Sequence, residues 1–227
     1  MSRFRCDNLK KLNIGDDVEL MRAESNHLFK ILRARPGERI RLIDGHGTAG
    51  TAVIGKDRKI TLESKQEIPF PGRKIHLYVA PPRRQKMDQI LKAVTELGVY
   101  RIVPMTCDRS VAMPDADSAD RQTDLLFEAC KQSGNAWLPI LEEPVKFSAA
   151  LAEAGEKLPL NVIGSPYENR SAFENLPDEI GFFVGPEGGF SEAEEQAMRD
   201  AGFQPMQIGA WILRVETACI AILSRLL

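Results

Sequence analysis

The sequence predicts a two-domain α/β protein in which a small β-rich module precedes a domain built on a parallel sheet. Short strand patterns fill most of residues 1–70, whereas strand and helix patterns alternate after residue 74. Between them, residues 69–72 read Pro-Phe-Pro-Gly, and two prolines with a glycine interrupt both helix and strand. The domains are therefore placed at residues 1–70 and 74–227, lengths that are ordinary for a domain.

The first domain is expected to be a small β-barrel that carries basic side chains. Its predicted strands lie at residues 17–20, 39–44, 51–55 and 59–67. One helix is predicted near residues 25–34, and Pro36 with Gly37 ends it. The basic residues proposed to contact RNA phosphates are Arg3, Arg5, Lys30, Arg33, Arg35, Arg39 and Arg41.

Charge is distributed unevenly along the chain. Residues 1–100 carry 20 Lys and Arg against 12 Asp and Glu, whereas the remainder carries 10 against 20. A basic half on a chain whose net charge is −2 indicates contact with a polyanion. Ordinary solvated surface is the alternative interpretation, and charge by itself does not separate the two.

The second domain shows regular alternation of strands and helices. Strands are predicted at residues 75–80, 101–105, 138–141, 160–164, 180–184 and 205–208. Helices are predicted at residues 87–97, 120–132, 148–154, 191–201 and from residue 217 to the end. The first of these has apolar residues at helical spacing, which is typical of an amphipathic helix. Six strands that alternate with helices predict a parallel sheet covered on both faces.

Two glycine-containing turns follow strands near the end of the chain. After the apolar run at 180–184 comes the sequence GPEGG at 185–189, and Ser191 with Glu194 then fits a capping box. Bare backbone at the carboxyl end of a strand lets a ligand approach closely, and open α/β sheets bind ligands at that edge. The first turn therefore predicts a ligand site and the start of a helix.

The second turn repeats this arrangement. A short strand pattern ends at Gly209, and Arg214 and Glu216 lie where the following loop meets a helical pattern. A cation and a carboxylate beside two turns of bare backbone indicate a polar ligand site. Taken singly, each turn is better explained as an ordinary strand-to-helix connection with surface charges.

Other catalytic patterns fit poorly. The GPEGG turn is neither a dinucleotide fingerprint nor a phosphate loop, and no G-x-S-x-G elbow occurs. Three histidines in the first third of the chain predict neither a metal triad nor a catalytic triad, so no metal is expected. The four cysteines are scattered and are expected to be buried thiols. A chain with so few nucleophiles suits a reaction in which a cofactor supplies the reactivity.

Taken together, the motifs point to a known family. GPEGGFS at 185–191 and ILRVETA at 212–218 resemble the RsmE family of SPOUT-class RNA methyltransferases. KAVTELGV at 92–99, EACKQS at 128–133 and HLFKILR at 27–33 extend the resemblance over nearly the whole chain. Where the family often carries an arginine after the EACKQS block, this chain has Gly-Asn-Ala-Trp at 134–137 instead.

The resemblance implies a fold, a reaction and an assembly. The fold is a SPOUT-type methyltransferase domain with a C-terminal trefoil knot, preceded by a PUA-like β-barrel, and the chain pairs as a homodimer through the knot region. The reaction transfers a methyl group from S-adenosylmethionine to N3 of a uridine, U1498, in 16S ribosomal RNA of the 30S subunit. The implied cofactor-binding residues are Gly185, Pro186, Glu187, Gly188, Gly189, Ile208, Leu213, Arg214, Glu216, Thr217 and Ala218. The loop at residues 165–168 is a weaker candidate for the same crevice.

Uridine N3 carries a proton at neutral pH and is a poor nucleophile until that proton leaves. A nearby cation favours the anion and a carboxylate accepts the proton, so Arg214 and either Glu187 or Glu216 are the candidate catalytic residues. A structural carboxylate at a helix N-terminus is an equally good interpretation of Glu216. Because N3 lies on the pairing edge, the target base must be unpaired or flipped out.

Other functions remain open at this stage. They are a SPOUT methyltransferase with another ribosomal or transfer RNA target, a non-catalytic RNA-binding protein of ribosome assembly, and a nucleotide-binding α/β enzyme. No apolar run approaches the ~20 residues that span a bilayer, so no membrane partner is expected. The first residues lack the apolar core of a signal peptide, which favours the cytoplasm.

Overall fold

The computed structural model describes residues 2–112, 119–165 and 175–227, and its contacts divide the chain into two compact units. The first unit contains Met1–Pro71 together with Phe127–Leu138, and the second contains Gly72–Leu126 and Pro139–Leu227. The sequence-based division at residues 70–74 did not include the return of residues 127–138 to the first unit. Among the described residues, no helix has the length and apolar character needed to cross a membrane.

The first unit is built on a four-stranded sheet in the order β1-β2-β3-β4. Its strands are β1 (Arg3–Arg5), β2 (Arg39–Ile43), β3 (Thr48–Ile54) and β4 (Ile60–Glu67). β1 pairs with β2 in parallel, and the other pairs are antiparallel. Along β2, Arg39 and Arg41 are exposed while Ile40 and Leu42 are buried, so alternate residues separate a solvent face from the core.

The strand predictions for this unit are mostly confirmed, with two exceptions. The strand predicted at residues 17–20 is wrong, because this segment makes one isolated bridge between Asp17 and Thr61. β1 was not predicted, since three residues are too few to show a period. The predicted helix is present as α1 (Arg22–Asn26), which continues directly into a π-helical turn at His27–Ile31.

Residues 127–138 complete the first unit. They include the last half of α3 (Ala119–Ser133), from which Phe127 and Cys130 form a buried cluster with Ile43. Trp137 donates its indole N–H to the carbonyl oxygen of Ile68 at 3.0 Å. A Cβ on Gly47 would clash with the same indole, so the glycine leaves the space that the tryptophan fills. The departure from the family pattern at residues 134–137 is therefore a packing feature of this chain.

The second unit contains a seven-stranded sheet whose strand pairs are all parallel. Its strands are β5 (Lys74–Val79), β6 (Arg101–Thr106), β7 (Ile140–Leu141), β8 (Val145–Lys146), β9 (Asn161–Gly164), β10 (Glu179–Val184) and β11 (Gln204–Met206). Its other helices are α2 (Arg84–Leu97), α4 (Phe147–Lys157), α5 (Glu192–Asp200) and α6 (Val215–Leu226). The predicted parallel sheet is confirmed, and β8 is a short addition that pairs only with β6.

The strand order β11-β9-β10-β5-β6-β7 positions the site. From β5 the chain moves outward through β6 and β7, then crosses back to the other side of β5 to form β9, β10 and β11. The order therefore reverses between β5 and β10, and ligands of open α/β sheets bind beside such a reversal at the carboxyl ends of the strands. The interior around it is closely packed, since the buried rings of Tyr78 and Phe183 stack at 4.3 Å between centroids.

Candidate functional site

The two glycine-containing turns meet in one cavity of about 660 Å³ within the second unit. This volume lies within the range of small-molecule pockets, roughly 300–1,000 Å³. Nine of the predicted cofactor-binding residues line it: Gly185, Pro186, Glu187, Gly188, Gly189, Ile208, Leu213, Arg214 and Ala218. Segments separated by about twenty residues in the sequence thus form opposite parts of a single site.

The first wall of the cavity is the loop that follows β10, the central strand. The predicted capping box is confirmed, because Ser191 accepts the backbone N–H of Glu194 at 3.2 Å and Glu194 accepts that of Ser191 at 2.8 Å. Gly189 has a φ of +72° and donates its N–H to the carbonyl oxygen of Pro186 at 2.8 Å, which closes a tight turn. A Cβ at Gly185 would lie 3.1 Å from the ring of Phe190, so this glycine permits a close approach.

A second connection reinforces this wall from the loop after β6. The guanidinium Nη1 of Arg109 donates to the carbonyl oxygens of Gly188 at 3.2 Å and Phe190 at 3.0 Å. The neighbouring Asp108 accepts a hydrogen bond from the Ser191 hydroxyl at 2.6 Å and donates its own N–H to Glu194 at 2.9 Å. No local sequence pattern links Arg109 to the GPEGG turn, so the sequence did not predict this contact.

The second wall is the loop between β11 and α6, and it is more open. Arg214 is the N-cap residue of α6, but no side chain caps that helix. Trp211 and Ile212 line the cavity and are 82% and 74% exposed. A Cβ on Gly209 would meet nothing within 4 Å. This wall therefore brings one exposed cation and two exposed apolar side chains to the cavity.

The base of the cavity is formed by the ends of β9, β10 and β11. Ile163, Val184 and Met206 are buried there, and Ile222 of α6 closes it from below. Ser165 also lines the cavity and donates its N–H to the carbonyl oxygen of Met206 at 3.0 Å. The rest of the weaker candidate loop, residues 166–168, lies outside the described residues.

Glu216 and Thr217 are not among the residues that line the cavity. Thr217 is exposed. One carboxylate oxygen of Glu216 lies 3.6 Å from the ammonium of Lys86, and the other is buried without a hydrogen bond to the residues the structure describes. This arrangement supports the interpretation of Glu216 as a carboxylate in the first turn of α6 that pairs with α2.

The site suits an organic cofactor that carries both apolar and polar groups. Buried aliphatic side chains form its base, and exposed loop backbone forms its rim. Among the hydrogen bonds of the described residues, none uses the backbone N–H of Glu187, Gly188 or Phe190, so these donors are available to a ligand. Among all the described residues, no group of three His, Cys, Asp or Glu side chains could hold a metal ion.

The cysteines are buried, as predicted, and are unsuited to nucleophilic chemistry. Desolvation by burial, together with the nearby Glu194 carboxylate, raises the pKa of Cys107 to about 12. Burial likewise raises the pKa of Cys130 to about 12. These thiols therefore stay protonated at neutral pH.

The seven basic residues proposed to contact RNA fall into two groups in the first unit. Three of them have partners within this unit. Arg3 donates to the carbonyl oxygens of Lys131 and Gln132 at the end of α3, and Arg5 stacks over the ring of Phe127. Arg39 forms a bidentate ion pair with Glu63. The remaining four have exposed side chains that make no hydrogen bond or ion pair with other described residues: Lys30, Arg33, Arg35 and Arg41. Among the described residues, the side chains of this second group have no competing partner and are available to bind phosphates.

Comparison with known proteins gives concordant results for both units. A family model described as an RNA methyltransferase domain matches residues 69–227, and one described as an RNA methyltransferase PUA domain matches residues 22–66. A ribosomal RNA small subunit methyltransferase E from Aquifex aeolicus is 30% identical over 94% of this chain and 95% of its own length. The same-named protein from Neisseria gonorrhoeae, solved with S-adenosylmethionine bound, is 30% identical with a TM-score of 0.87 over 99% of this chain and 96% of its own. A methyltransferase from Legionella pneumophila, also solved with this cofactor, is 28% identical with a TM-score of 0.89 over 100% of this chain and 96% of its own.

Proposed function

This chain belongs to the ribosomal RNA small subunit methyltransferase E family, and we propose that it methylates 16S ribosomal RNA with S-adenosylmethionine as the methyl donor. The target that the sequence resemblance implies is N3 of one uridine, U1498. The observation that carries the proposal is the single cavity formed by the GPEGG turn and the ILRVETA segment. Had these segments lain apart, no common cofactor site would exist.

The residues around the cavity fit this cofactor. The available N–H groups of residues 187, 188 and 190 are suited to its polar groups, and Ile163, Met206 and Ile222 are suited to its apolar surface. The bound sulfonium supplies an already activated methyl group, so the chain's task is alignment and exclusion of water. The rigid strand ends beneath the loops provide a fixed frame for that alignment.

Two charged side chains at the rim are proposed to act on the base. Arg214 is exposed on the second wall, where its charge favours the uridine anion over the neutral base. Glu187 is exposed on the first wall and is the candidate acceptor of the N3 proton. Glu216 is the weaker candidate, because it pairs with Lys86 and does not line the cavity.

Contact with RNA phosphates is proposed for Lys30, Arg33, Arg35 and Arg41 of the first unit. They are exposed and have no competing partner among the described residues. Arg3, Arg5 and Arg39 are proposed with them, although each already has a partner within the first unit. A protein that neutralises several phosphates binds RNA less tightly as salt rises, so the affinity should fall steeply with ionic strength.

The experiment that tests the proposal uses 30S subunits and free 16S RNA from a strain that lacks the corresponding gene. Purified protein should transfer label from methyl-labelled S-adenosylmethionine to one position of the RNA, and mapping should place that label at N3 of the expected uridine. Label at a different nucleotide would support methyltransferase activity but reject the proposed target. Cofactor binding without transfer to either RNA would favour a non-catalytic role in ribosome assembly.

Calorimetry separates the remaining alternative, a nucleotide-binding enzyme. The proposal expects S-adenosylmethionine to bind and ATP and NAD not to bind at matched concentrations. Tight binding of ATP or NAD without binding of S-adenosylmethionine would reject the proposed cofactor.

A homodimer through the C-terminal region is proposed as well, together with the trefoil knot that the resemblance implies. Trp211, Ile212 and Ile220 are large apolar residues that are at least 40% exposed in this region. Sedimentation of the wild-type chain and of Trp211→Ser should show a dimer that the substitution weakens. A wild-type monomer at all concentrations would reject the pairing.

A further inference from the structure

Two residues of the short loop after β6, residues 107–110, form hydrogen bonds with the GPEGG loop and the start of α5. Arg109 reaches two carbonyl oxygens of that loop, and Asp108 reaches both Ser191 and Glu194. Within the loop itself, Cys107 donates its N–H to the Ser110 hydroxyl at 2.9 Å. No sequence motif or family block used in the assignment of the site includes these residues.

The bonds of Arg109 fall at the point where the GPEGG loop turns most sharply. Its acceptors, Gly188 and Phe190, flank Gly189, which has the positive φ. A guanidinium that bridges these two carbonyl oxygens fixes the peptide groups on both sides of the turn. The available N–H groups of Gly188 and Phe190 belong to the peptide groups next to these carbonyl groups, and that of Glu187 lies one peptide group further away.

Asp108 fixes the other end of the same loop. Its carboxylate binds the hydroxyl of Ser191, and Ser191 is the N-cap of α5. Glu194 accepts the N–H of Asp108 with one carboxylate oxygen and the N–H of Ser191 with the other. The GPEGG loop, the start of α5 and the loop after β6 therefore form one hydrogen-bonded unit.

We propose that Arg109 is a positioning residue for the methyl donor, which holds the GPEGG loop in its cofactor-binding conformation through the carbonyl oxygens of Gly188 and Phe190. The inference rests on the proposed function, because it concerns the same cavity. Without Arg109 the loop occupies the binding conformation only part of the time, and the apparent dissociation constant rises by the inverse of that fraction. Saturating cofactor restores the conformation, so the rate constant of methyl transfer is affected little.

Arg109→Ala and Arg109→Lys test this role, with Lys157→Ala as the control for loss of one surface cation. Lys157 is also exposed, but it pairs with Glu153 on α4 and is not among the residues that line the cavity. We expect Arg109→Ala to raise the dissociation constant for S-adenosylmethionine about tenfold, the effect of one charged hydrogen bond. Arg109→Lys should recover part of this loss, and Lys157→Ala should bind within about twofold of wild type, since its surface pair contributes little.

Kinetics at saturating cofactor distinguish positioning from contact with the reacting atoms. We expect kcat of Arg109→Ala to stay within about threefold of wild type while KM for the cofactor rises in step with the dissociation constant. Unchanged affinity in Arg109→Ala, or an equal loss in Lys157→Ala, would overturn the proposal, as would a large fall in kcat alone. Failure of the wild-type protein to bind S-adenosylmethionine would instead reject the proposed function.

Discussion

Hydrogen bonds hold the loop at residues 185–190 at several points, whereas the loop at residues 207–214 is held mainly at its ends. The first is closed by a turn, capped by Ser191 and bound by Arg109. In the second, no backbone hydrogen bond outside the helices and strands joins residues 208–213 to another described residue. The cavity therefore has one preorganised wall for the cofactor and one open wall whose side chains can adjust to a substrate.

This comparison predicts different kinds of defect in the two walls. Substitutions in the first wall should weaken cofactor binding, because its backbone conformation is what the cofactor meets. Substitutions of charged residues that project from either loop should lower turnover, because those groups are proposed to meet the RNA base. Four pairs of variants, Arg109 and its control aside, test this distinction.

The largest effect is expected for Arg214→Ala in the open wall. Loss of the cation that favours the uridine anion should lower kcat by about 10²–10³, the usual effect of removing one electrostatic group from an active site. The dissociation constant for S-adenosylmethionine, measured by calorimetry, should change by less than about threefold, since Arg214 is proposed to act on the RNA base and not on the cofactor. Near-normal turnover on 30S subunits would reject the role, and Lys157→Ala serves as the control for loss of one surface charge.

Glu187→Gln should lower kcat by about 10², the lower end of the range for a general base. Its control is Glu216→Gln, which removes the same charge from a carboxylate that pairs with Lys86 and does not line the cavity. We expect that variant to retain kcat within a few-fold of wild type. Single-turnover rates decide between them, and a greater loss in Glu216→Gln than in Glu187→Gln would reverse the assignment.

The same substitution in each loop tests the difference in backbone constraint. Alanine at Gly185 places a Cβ 3.1 Å from the ring of Phe190, and such overpacking costs about 1–3 kcal/mol. Gly185→Ala should therefore raise the dissociation constant for the cofactor about tenfold. Gly209→Ala has open space around its Cβ and should bind within about twofold of wild type. Equal losses in both variants would show that the two walls are equally constrained.

What the sequence predicted in this site depends on short-range patterns. The capping box at Ser191 and Glu194 follows from a spacing of three residues, and the glycine turns follow from the ends of apolar runs. The parallel sheet follows from six alternations of strand and helix. These features are local or periodic, so composition and spacing are enough to predict them.

The features that the sequence did not predict depend on contacts between distant segments. Arg109 and Gly188 are 79 residues apart, and no helix or strand period connects them. The return of residues 127–138 to the first unit depends on how Trp137 fits over Gly47, which is a property of shape rather than of pattern. For the same reason the sequence did not predict the partners of Arg3 and Arg5, which are Lys131, Gln132 and Phe127, far along the chain.

The smallest effect is expected for Ser191→Ala, which removes the cap of α5 and the hydroxyl that binds Asp108. Loss of a serine N-cap costs about 1 kcal/mol, and a domain of this size then melts about 2–4 °C lower. Ser224→Ala is the matched control, because the Ser224 hydroxyl is exposed on α6 and donates only to the nearby carbonyl oxygen of Ala221. Its melting temperature should stay within about 1 °C of wild type, as is usual for a surface substitution. If calorimetric scans gave the two variants the same melting temperature, the junction between the loop after β6 and α5 would contribute nothing measurable to the stability of the fold.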